Sequence, residues 1–432
     1  MEPDIITTIL SIPFSVSAWH CLKITEDEPD IKTDTEAAPD RGESIGLMEP
    51  MRLSESGPYI PALNDLAVEL AAQCAGLRRS LPPEITRALA DLVRAMNCYY
   101  SNLIEGHDTH PIDIERALKN DYSADLEKRN LQLEAKAHIE VQSWIDGGGI
   151  AGRVTAAETI CEIHRRFGEL LPEELLRVEN PDTGERLRMI PGALRSRDVK
   201  VGRHVAISPG AIPRFLARFD EAYRGLGKSQ TLLSAAAAHH RLLWIHPFLD
   251  GNGRVVRLMS YAMLRETLDT GGIWSIARGL ARNETAYKGH LMACDLPRRN
   301  DLDGRGTLSE ESLAAFSRFF LETCLDQVRF MEELIHPDRL RGRILLWAEE
   351  EIRLGHLPTK STAVLEGVLY RGELPRADVA GLVGSGERQA RRIVSSLAER
   401  EVLTSESSRA PLKLAFPAKL AGRWMPGLFP EK

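Results

Sequence analysis

The sequence contains little that would suggest a secreted, zinc-ribbon or membrane-spanning protein. Its 432 residues include six scattered cysteines and no C-x-x-C pair, which argues against a disulfide framework and fits a reducing compartment. The most apolar N-terminal stretch runs from Ile5 to Trp19, but it is short, is interrupted by Pro13 and follows two acidic residues. Signal peptides and membrane spans have the opposite features. We therefore expect a cytoplasmic protein with no membrane partner.

Basic residues are in slight deficit, and the deficit lies at one end of the chain. The formal net charge is −7, yet residues 1–50 hold eleven acidic and three basic residues, which leaves the remainder nearly neutral. A segment so acidic, and rich in proline and threonine, buries too little apolar surface to fold alone. The prediction is a disordered acidic leader over residues 1–50. Translation from Met48 or Met51 is an alternative that would remove most of it.

Most of the chain has the three- and four-residue apolar spacing of helices, which predicts a mainly α fold. Between Pro181 and Pro213, valines alternate loosely with polar residues around Gly202, the pattern of a short β-hairpin. Near the C-terminus two helical segments flank a Gly384-Ser385-Gly386 turn, and two strand-like runs follow. That order predicts a winged helix-turn-helix over residues 338–432, a fold that binds DNA or docks on protein.

The stretch His246–Arg257 reads His-Pro-Phe-Leu-Asp-Gly-Asn-Gly-Arg-Val-Val-Arg and lies between two helical patterns. Gly251 and Gly253 permit backbone conformations in which N–H groups surround an anion just before a helix begins. Arg254 and Arg257 are three residues apart on one helix face. Two guanidinium groups beside an anion site favour a polyphosphate over a single carboxylate. The stretch therefore predicts a phosphate-binding loop.

The same stretch resembles the signature H-x-F-x-[D/E]-G-N-G-R-x-x-R of the Fic family, and its helical setting is similar to that family's core. Asp250 offers an oxygen ligand suited to Mg²⁺, and His246 offers a base that can be neutral at pH 7. The resemblance implies transfer of AMP from ATP to a Ser, Thr or Tyr hydroxyl of a target protein, with His246 as the base and Asp250 holding Mg²⁺. It further implies five nucleotide-binding residues in the stretch, namely Gly251, Asn252, Gly253, Arg254 and Arg257.

The resemblance covers roughly residues 95–335 and implies an N-terminal helical region (51–150) and a catalytic core (151–336) before the winged helix. It implies that the hairpin is a flap that pairs with the target, and that Tyr287 stacks on the base or ribose. Core packing is the alternative for Tyr287. Doc-type relatives that phosphorylate carry lysine where this chain has Gly251, so AMP transfer is favoured. The flap residues would be Val199, Val201 and Val205.

A second stretch, Ser101-Asn102-Leu103-Ile104-Glu105-Gly106, ends a helical pattern and resembles the inhibitory motif [S/T]-x-x-x-E-[G/N] of the same family. Its defined positions are Ser101, Glu105 and Gly106. The resemblance implies that Glu105 pairs with Arg257, the expected anchor of the γ-phosphate, and so blocks productive binding of ATP. Separating a partly buried carboxylate–guanidinium pair strands a charge, and this can supply the ~2.7 kcal/mol that a hundredfold suppression of rate needs.

Two alternatives stay open at this point. Glu105 would instead orient a water that removes AMP from a modified target, which makes the protein a deAMPylase. In the other alternative the protein is a DNA-binding regulator whose Fic-like core only senses nucleotide. The candidate partners are an unidentified target protein, a second copy of the chain as target or in a homodimer, and DNA.

Overall fold

The computed structural model describes residues 38–179 and 184–430, which are mainly helical as predicted; residues 1–37 of the expected leader lie outside this range. Within the described residues no helix is long and apolar enough to cross a membrane. The α-helices are α1 (Ile60–Arg79), α2 (Pro83–Ile104), α3 (Pro111–Leu118), α4 (Leu126–Asp146), α5 (Ala157–Glu169), α6 (Ile212–Tyr223), α7 (Lys228–Ile245), α8 (Asn252–Leu268), α9 (Ile276–Arg282), α10 (Glu284–Cys294), α11 (Glu310–Leu334), α12 (Pro337–Arg353), α13 (Ser361–Arg371), α14 (Asp378–Val383), α15 (Glu387–Glu399) and α16 (Ala418–Trp424). The strands are β1 (Arg177–Glu179), β2 (Arg186–Arg188), β3 (Lys200–Val201), β4 (His204–Val205), β5 (Glu373–Leu374), β6 (Leu403–Thr404) and β7 (Leu412–Leu414).

Helices α7 and α8 form the centre of the fold, and residues 246–251 join them as the signature loop. The middle of α7 is a run of four buried alanines, Ala235–Ala238, and α8 is buried along most of its length. A helix that is enclosed on all sides belongs in the core. Helices α1, α6 and α11 pack on α7, while α2, α4 and α5 pack on α8. The signature loop is therefore anchored at both ends in the most buried part of the molecule.

The C-terminal elements form a small α/β unit that contacts α2 through β7. Strands β5, β7 and β6 make an antiparallel sheet in that order, with Leu374 opposite Leu412 and Leu403 opposite Leu414. Helix α14 ends at Gly384, whose φ of +56° reverses the chain into α15. The helices and strands follow the predicted order, and the assignment to the winged helix-turn-helix class stays a prediction.

Strands β3 and β4 pair as a hairpin inside the stretch where valine alternation predicted one. Lys200 lies opposite Val205, and Gly202 occupies the turn with φ of +60°. Val201 and Val205 are 49% and 62% exposed, so the hairpin carries apolar side chains in solvent. A second hairpin, β1 with β2, precedes it and was not predicted.

Residues 38–50 pack on the core, which corrects the predicted disordered leader over this part. Arg41 pairs with Asp198 at 2.7 Å, beside the β3–β4 hairpin. The Glu43 carboxylate accepts hydrogen bonds from the Ser208 N–H (2.8 Å) and hydroxyl (2.5 Å) on the other side of the hairpin. The prediction was wrong here because these charged residues have specific partners on the folded domain, Asp198 for Arg41 and Ser208 for Glu43.

We expect Glu43→Gln to lower the free energy of unfolding by ~1–2 kcal/mol at pH 7 and to have little effect in acid. Burial would raise the pKa of Glu43, but the bonds from Ser208 and the charge of Arg41 lower it to about 2. A carboxylate with a lowered folded-state pKa stabilises the fold above its unfolded-state pKa, and that stabilisation is lost as pH falls through the folded-state value. Urea unfolding at a series of pH values measures the effect, with exposed Glu55→Gln as the control. A difference in unfolding free energy between wild type and Glu43→Gln that stays constant down to acid pH would contradict this account.

Candidate active site

The signature loop is held in one conformation by the side chain that begins the next helix. Gly251 precedes α8 with φ of +78°, a left-handed geometry that glycine adopts without strain. Asn252 accepts a hydrogen bond from the Phe248 N–H (3.0 Å) and donates one to the Phe248 carbonyl (2.8 Å). Both polar ends of the Asn252 side chain therefore brace the loop, and phosphate binding by Asn252 stays a prediction for its backbone amide. Its backbone amide still lies in the first turn of α8, where amides have no partner within the helix.

His164, on α5, supports the loop from the other side. Its ring stacks on Phe248 at a centroid distance of 3.9 Å, and its Nδ1 accepts a hydrogen bond from the Gly192 N–H (2.8 Å). Because Nδ1 is the acceptor, Nε2 carries the proton and donates to the Asp250 carbonyl at 3.2 Å. Burial lowers the pKa of His164 to about 4, so the ring is neutral. The sequence analysis predicted no role for His164 at the site.

His246 closes α7 in a left-handed conformation with φ of +50° and is half-buried. Burial, and then the charge of Arg195, lower the pKa of His246 to about 4. A neutral imidazole at pH 7 is able to accept a proton from a hydroxyl group.

Asp250, the expected magnesium ligand, has a side chain 44% exposed at the end of the loop and lies 3.4 Å from Arg254 Nη2. Within the described residues, no group of three or more His, Cys, Asp or Glu side chains is arranged to hold a metal ion. Mg²⁺ that arrives with a nucleotide uses one or two carboxylates and takes its other ligands from phosphates and water. A single accessible carboxylate therefore fits that ion.

The N-terminus of α8 faces a carboxylate from the same chain. Glu105 follows α2 directly, and its Oε1 lies 2.5 Å from Arg257 Nη2. Arg257 also donates to the Ser101 hydroxyl (2.9 Å) and carbonyl (3.1 Å). A Cβ atom on Gly253 would collide with Glu105 Oε1, so the carboxylate lies directly over the first turn of α8. Burial would raise the pKa of Glu105, but Arg257 and Arg254 lower it, so an anion occupies the helix end where an anion is favoured.

The other arginine of the signature is paired as well. Arg254 forms a buried ion pair with Glu134 of α4, and Glu134 also lies 2.8 Å from His107 Nδ1. Burial would raise the pKa of Glu134, but Arg254 and His107 lower it, and the bond to Glu134 raises the pKa of His107. Both arginines expected to bind phosphate therefore contact a carboxylate of the chain itself. Glu134 was not predicted, although a lone acid among the buried residues of α4 was an available signal.

Tyr287 lies in the core beside the anion site, where burial raises the pKa of its hydroxyl and the charges of Arg257 and Glu105 also act on it. Its side chain is 2% exposed, and its hydroxyl lies 2.7 Å from His239 Nε2, whose Nδ1 lies 2.8 Å from Ser260 Oγ. The ring also contacts Phe316. In this structure its ring and hydroxyl are engaged inside the fold, as the core-packing alternative expects, and stacking on the base or ribose stays a prediction.

The remaining predicted residues lie at the edges of the site. Gly106 has φ of +87° and ends the turn that carries Glu105. The hairpin is attached close to the loop, since His204 Nε2 lies 2.8 Å from the Trp244 carbonyl, two residues before His246. The hairpin residues proposed to meet the target are partly or largely exposed, and they are Val199, Val201 and Val205.

Residues 154–264 match the model of the Fic/DOC family, and the match contains the whole of the stretch His246–Arg257. These residues form a Fic/DOC family domain. The chain is 41% identical over 170 residues to Protein adenylyltransferase Fic of Drosophila grimshawi and 26% identical over 171 residues to that of Nematostella vectensis. Each match covers 38% of this chain, and the matches cover 32% and 36% of the relatives, so the chain spans about a third of their length.

Solved structures of Fic proteins are similar at a lower level. A Fic family protein from Desulfovibrio desulfuricans G20 has 17% identity and a TM-score of 0.46, with 81% of this chain and 96% of that one covered. Fic-1 from C. elegans has 16% identity and a TM-score of 0.44, with 63% and 73% covered. Similarities of this size carry no argument about the site.

We expect Glu134→Leu to lower the free energy of unfolding by ~3–5 kcal/mol, because it leaves the buried guanidinium of Arg254 without its closest anion. Glu140→Leu, an exposed position on the same helix, is the matched control and should change stability by less than about 0.5 kcal/mol. Urea unfolding of the three proteins measures both effects. Equal stability of the two variants would show that Arg254 does not depend on Glu134.

Proposed function

We propose that this protein is a self-inhibited protein adenylyltransferase that moves AMP from ATP to a hydroxyl group of a protein. The observation that carries the proposal is the Glu105 carboxylate, held by Arg257 over Gly253 at the N-terminus of α8. A helix N-terminus with two arginines suits phosphate, and here an internal anion occupies it. The Fic/DOC domain over residues 154–264 and the names of the relatives support the same reaction.

The chemistry begins at His246. The neutral imidazole takes the proton of the acceptor hydroxyl as its oxygen attacks the α-phosphorus of ATP, and the bond from that phosphorus to the pyrophosphate breaks. The products are an AMP-modified protein and pyrophosphate. Charge builds up on the leaving group, and the guanidinium groups of Arg254 and Arg257 stabilise it.

The loop and the start of α8 hold the nucleotide in this proposal. The backbone amides of Gly251, Asn252 and Gly253 point toward the phosphates, as the first amides of a helix do. Mg²⁺ would be held by Asp250 and would supply neutralisation of the phosphate charge. The exposed edge of the β3–β4 hairpin would bind an extended segment of the target by strand addition and bring its hydroxyl toward His246.

Glu105 explains why the resting protein is inhibited. Its carboxylate occupies Arg257, so the γ-phosphate of ATP must displace it or bind in another position that misaligns the α-phosphorus. A Glu105 that held a water instead would make the protein remove AMP from modified targets, and this stays the alternative for the same site.

We expect Glu105→Gly to raise AMP incorporation by roughly a hundredfold, because the variant frees Arg257 for ATP. The measurement follows label from α-phosphate-labelled ATP into the protein itself and into a cell lysate, with mass spectrometry of the modified peptides. Glu105→Gln keeps the size of the side chain without its charge, and its AMP incorporation should lie between those of wild type and Glu105→Gly. Addition of His246→Ala to Glu105→Gly should abolish the label.

The absence of label in every sample treated with Glu105→Gly and Mg²⁺-ATP would overturn the transferase proposal. Label that persists in the His246→Ala double variant would overturn the role of His246. Loss of AMP from a previously modified target, with no transfer, would favour the removal reaction.

A second candidate function rests on α15, which exposes Arg388, Arg391 and Arg392 along one side. In a winged helix this helix enters the major groove of DNA, and arginine binds phosphate and guanine edges. We propose DNA as the partner of this surface. In this second candidate function the Fic/DOC domain acts as a nucleotide sensor.

The affinity for duplex DNA should weaken steeply as salt concentration rises. A plot of the logarithm of the binding constant against the logarithm of salt concentration should fall with a slope of about −0.9 for each phosphate contact. The double variant Arg388→Glu, Arg392→Glu should lose binding and keep AMP labelling in the Glu105→Gly background. Fluorescence anisotropy with random-sequence duplexes at a range of salt concentrations measures this. The absence of binding even at low salt would exclude the DNA reading.

A further inference from the structure

Arg195 lies between the signature loop and the base of the β3–β4 hairpin and is 2% exposed. Its guanidinium donates to the carbonyls of His246 (2.7 Å), Ile207 (2.6 Å) and Arg197 (2.8 Å). Its own backbone N–H donates to the Pro247 carbonyl (2.9 Å). The Arg195 side chain therefore ties the first residue of the loop to both ends of the hairpin, and the Arg195 backbone holds the second.

The choice of arginine at this position has a chemical reason. Burial lowers the pKa of Arg195 to about 10, yet the group is still charged at pH 7, and the acceptors that receive its hydrogen bonds are neutral carbonyls. A buried charge is costly unless its hydrogen bonds are satisfied. Arginine presents five N–H donors in a rigid fork and can reach three diverging carbonyls, whereas lysine directs its donors from one atom.

The bond to His246 acts on a residue in an unfavourable conformation. His246 is not glycine, yet its φ is +50°, a region that side chains with a Cβ rarely adopt. Such a conformation persists only where the surroundings determine it. The N–H of His246 donates to the Leu242 carbonyl at 3.1 Å, and its carbonyl accepts from Arg195, so the backbone of the residue is held on both sides.

We propose that Arg195 is a positioning residue for AMP transfer, which fixes the His246 imidazole relative to the hairpin that presents the acceptor hydroxyl. This inference rests on the proposed function. Arg195 has no hydrogen bond to α8 or Glu105 among its described contacts, so its effect falls on proton transfer and acceptor alignment and leaves the nucleotide site unchanged.

The test compares Arg195→Met and Arg195→Lys in the Glu105→Gly background, with kcat and KM for ATP measured separately and ATP binding measured by calorimetry. For Arg195→Met we expect kcat to fall roughly a hundredfold, as for a small displacement of a catalytic group, with KM for ATP changed by less than about twofold. Arg195→Lys should recover part of the loss, because its ammonium reaches some of the carbonyls.

Arg241→Met is the matched control. Arg241 is also fully buried and also donates to a backbone carbonyl, that of Pro50 (2.8 Å), but it does not contact the loop or the hairpin. The control should keep kcat within about twofold of the Glu105→Gly protein. Thermal unfolding of each variant separates a loss of folded protein from a loss of rate.

A folded Arg195→Met that keeps kcat, or that raises KM for ATP at unchanged kcat, would overturn the inference. If Arg195→Met does not fold, the lysine variant decides, since a folded Arg195→Lys with full kcat would also overturn it. An equal fall in kcat for Arg241→Met would also overturn the inference, because the loss of rate would then follow from removal of any buried guanidinium group. Failure of the Glu105→Gly parent to transfer AMP would contradict the proposed function and is seen before any Arg195 variant is made.

Discussion

The need for an anion at the N-terminus of α8 organises the rest of the site. The first turn of that helix combines unpaired amides with the side chains of Arg254 and Arg257, and this much positive charge requires a negative partner. Besides Asp250 in the loop, other helices supply two, Glu105 at the end of α2 and Glu134 in α4. Two helices from the N-terminal half therefore deliver acidic residues to the helix that carries the two arginines proposed to bind phosphate.

The elements around this centre hold it rigid. Helix α2, which Glu105 follows directly, is packed against the C-terminal residues: the Tyr100 hydroxyl donates to the Leu428 carbonyl at 3.2 Å, and the ring of Tyr99 contacts that of Phe429. On the opposite side, His164 and Arg195 hold the loop and the hairpin through backbone groups. In the proposed function, the carboxylate on Arg257 is the part of the site that ATP replaces, while these supporting contacts stay in place.

The parts of the structure that depend on residues close in sequence were predictable. The stretch His246–Arg257 revealed the loop and the helix start, and apolar spacing predicted the mainly α fold. Glu134, His164 and Arg195 escaped prediction because their partners are distant in sequence and only the packing of α4, α5 and the hairpin onto α7 and α8 brings them together. The pattern did not reveal the side-chain contacts of Asn252 and Tyr287, since an asparagine side chain can brace a loop and a tyrosine hydroxyl can bond inside a core. Acidic composition likewise could not show that Asp40 and Glu43 have specific partners in the folded domain, Arg214 and Ser208.

The claim that Glu105 holds the place of the terminal phosphate is tested most directly by nucleotide affinity. Isothermal titration calorimetry of wild type and Glu105→Gly with ATP and with AMP compares a ligand that reaches Arg257 with one that lacks the phosphates to do so. The account predicts that Glu105→Gly binds ATP at least about tenfold more tightly than wild type, while the affinity for AMP is unchanged. Equal changes for both nucleotides, or no change for ATP, would contradict it.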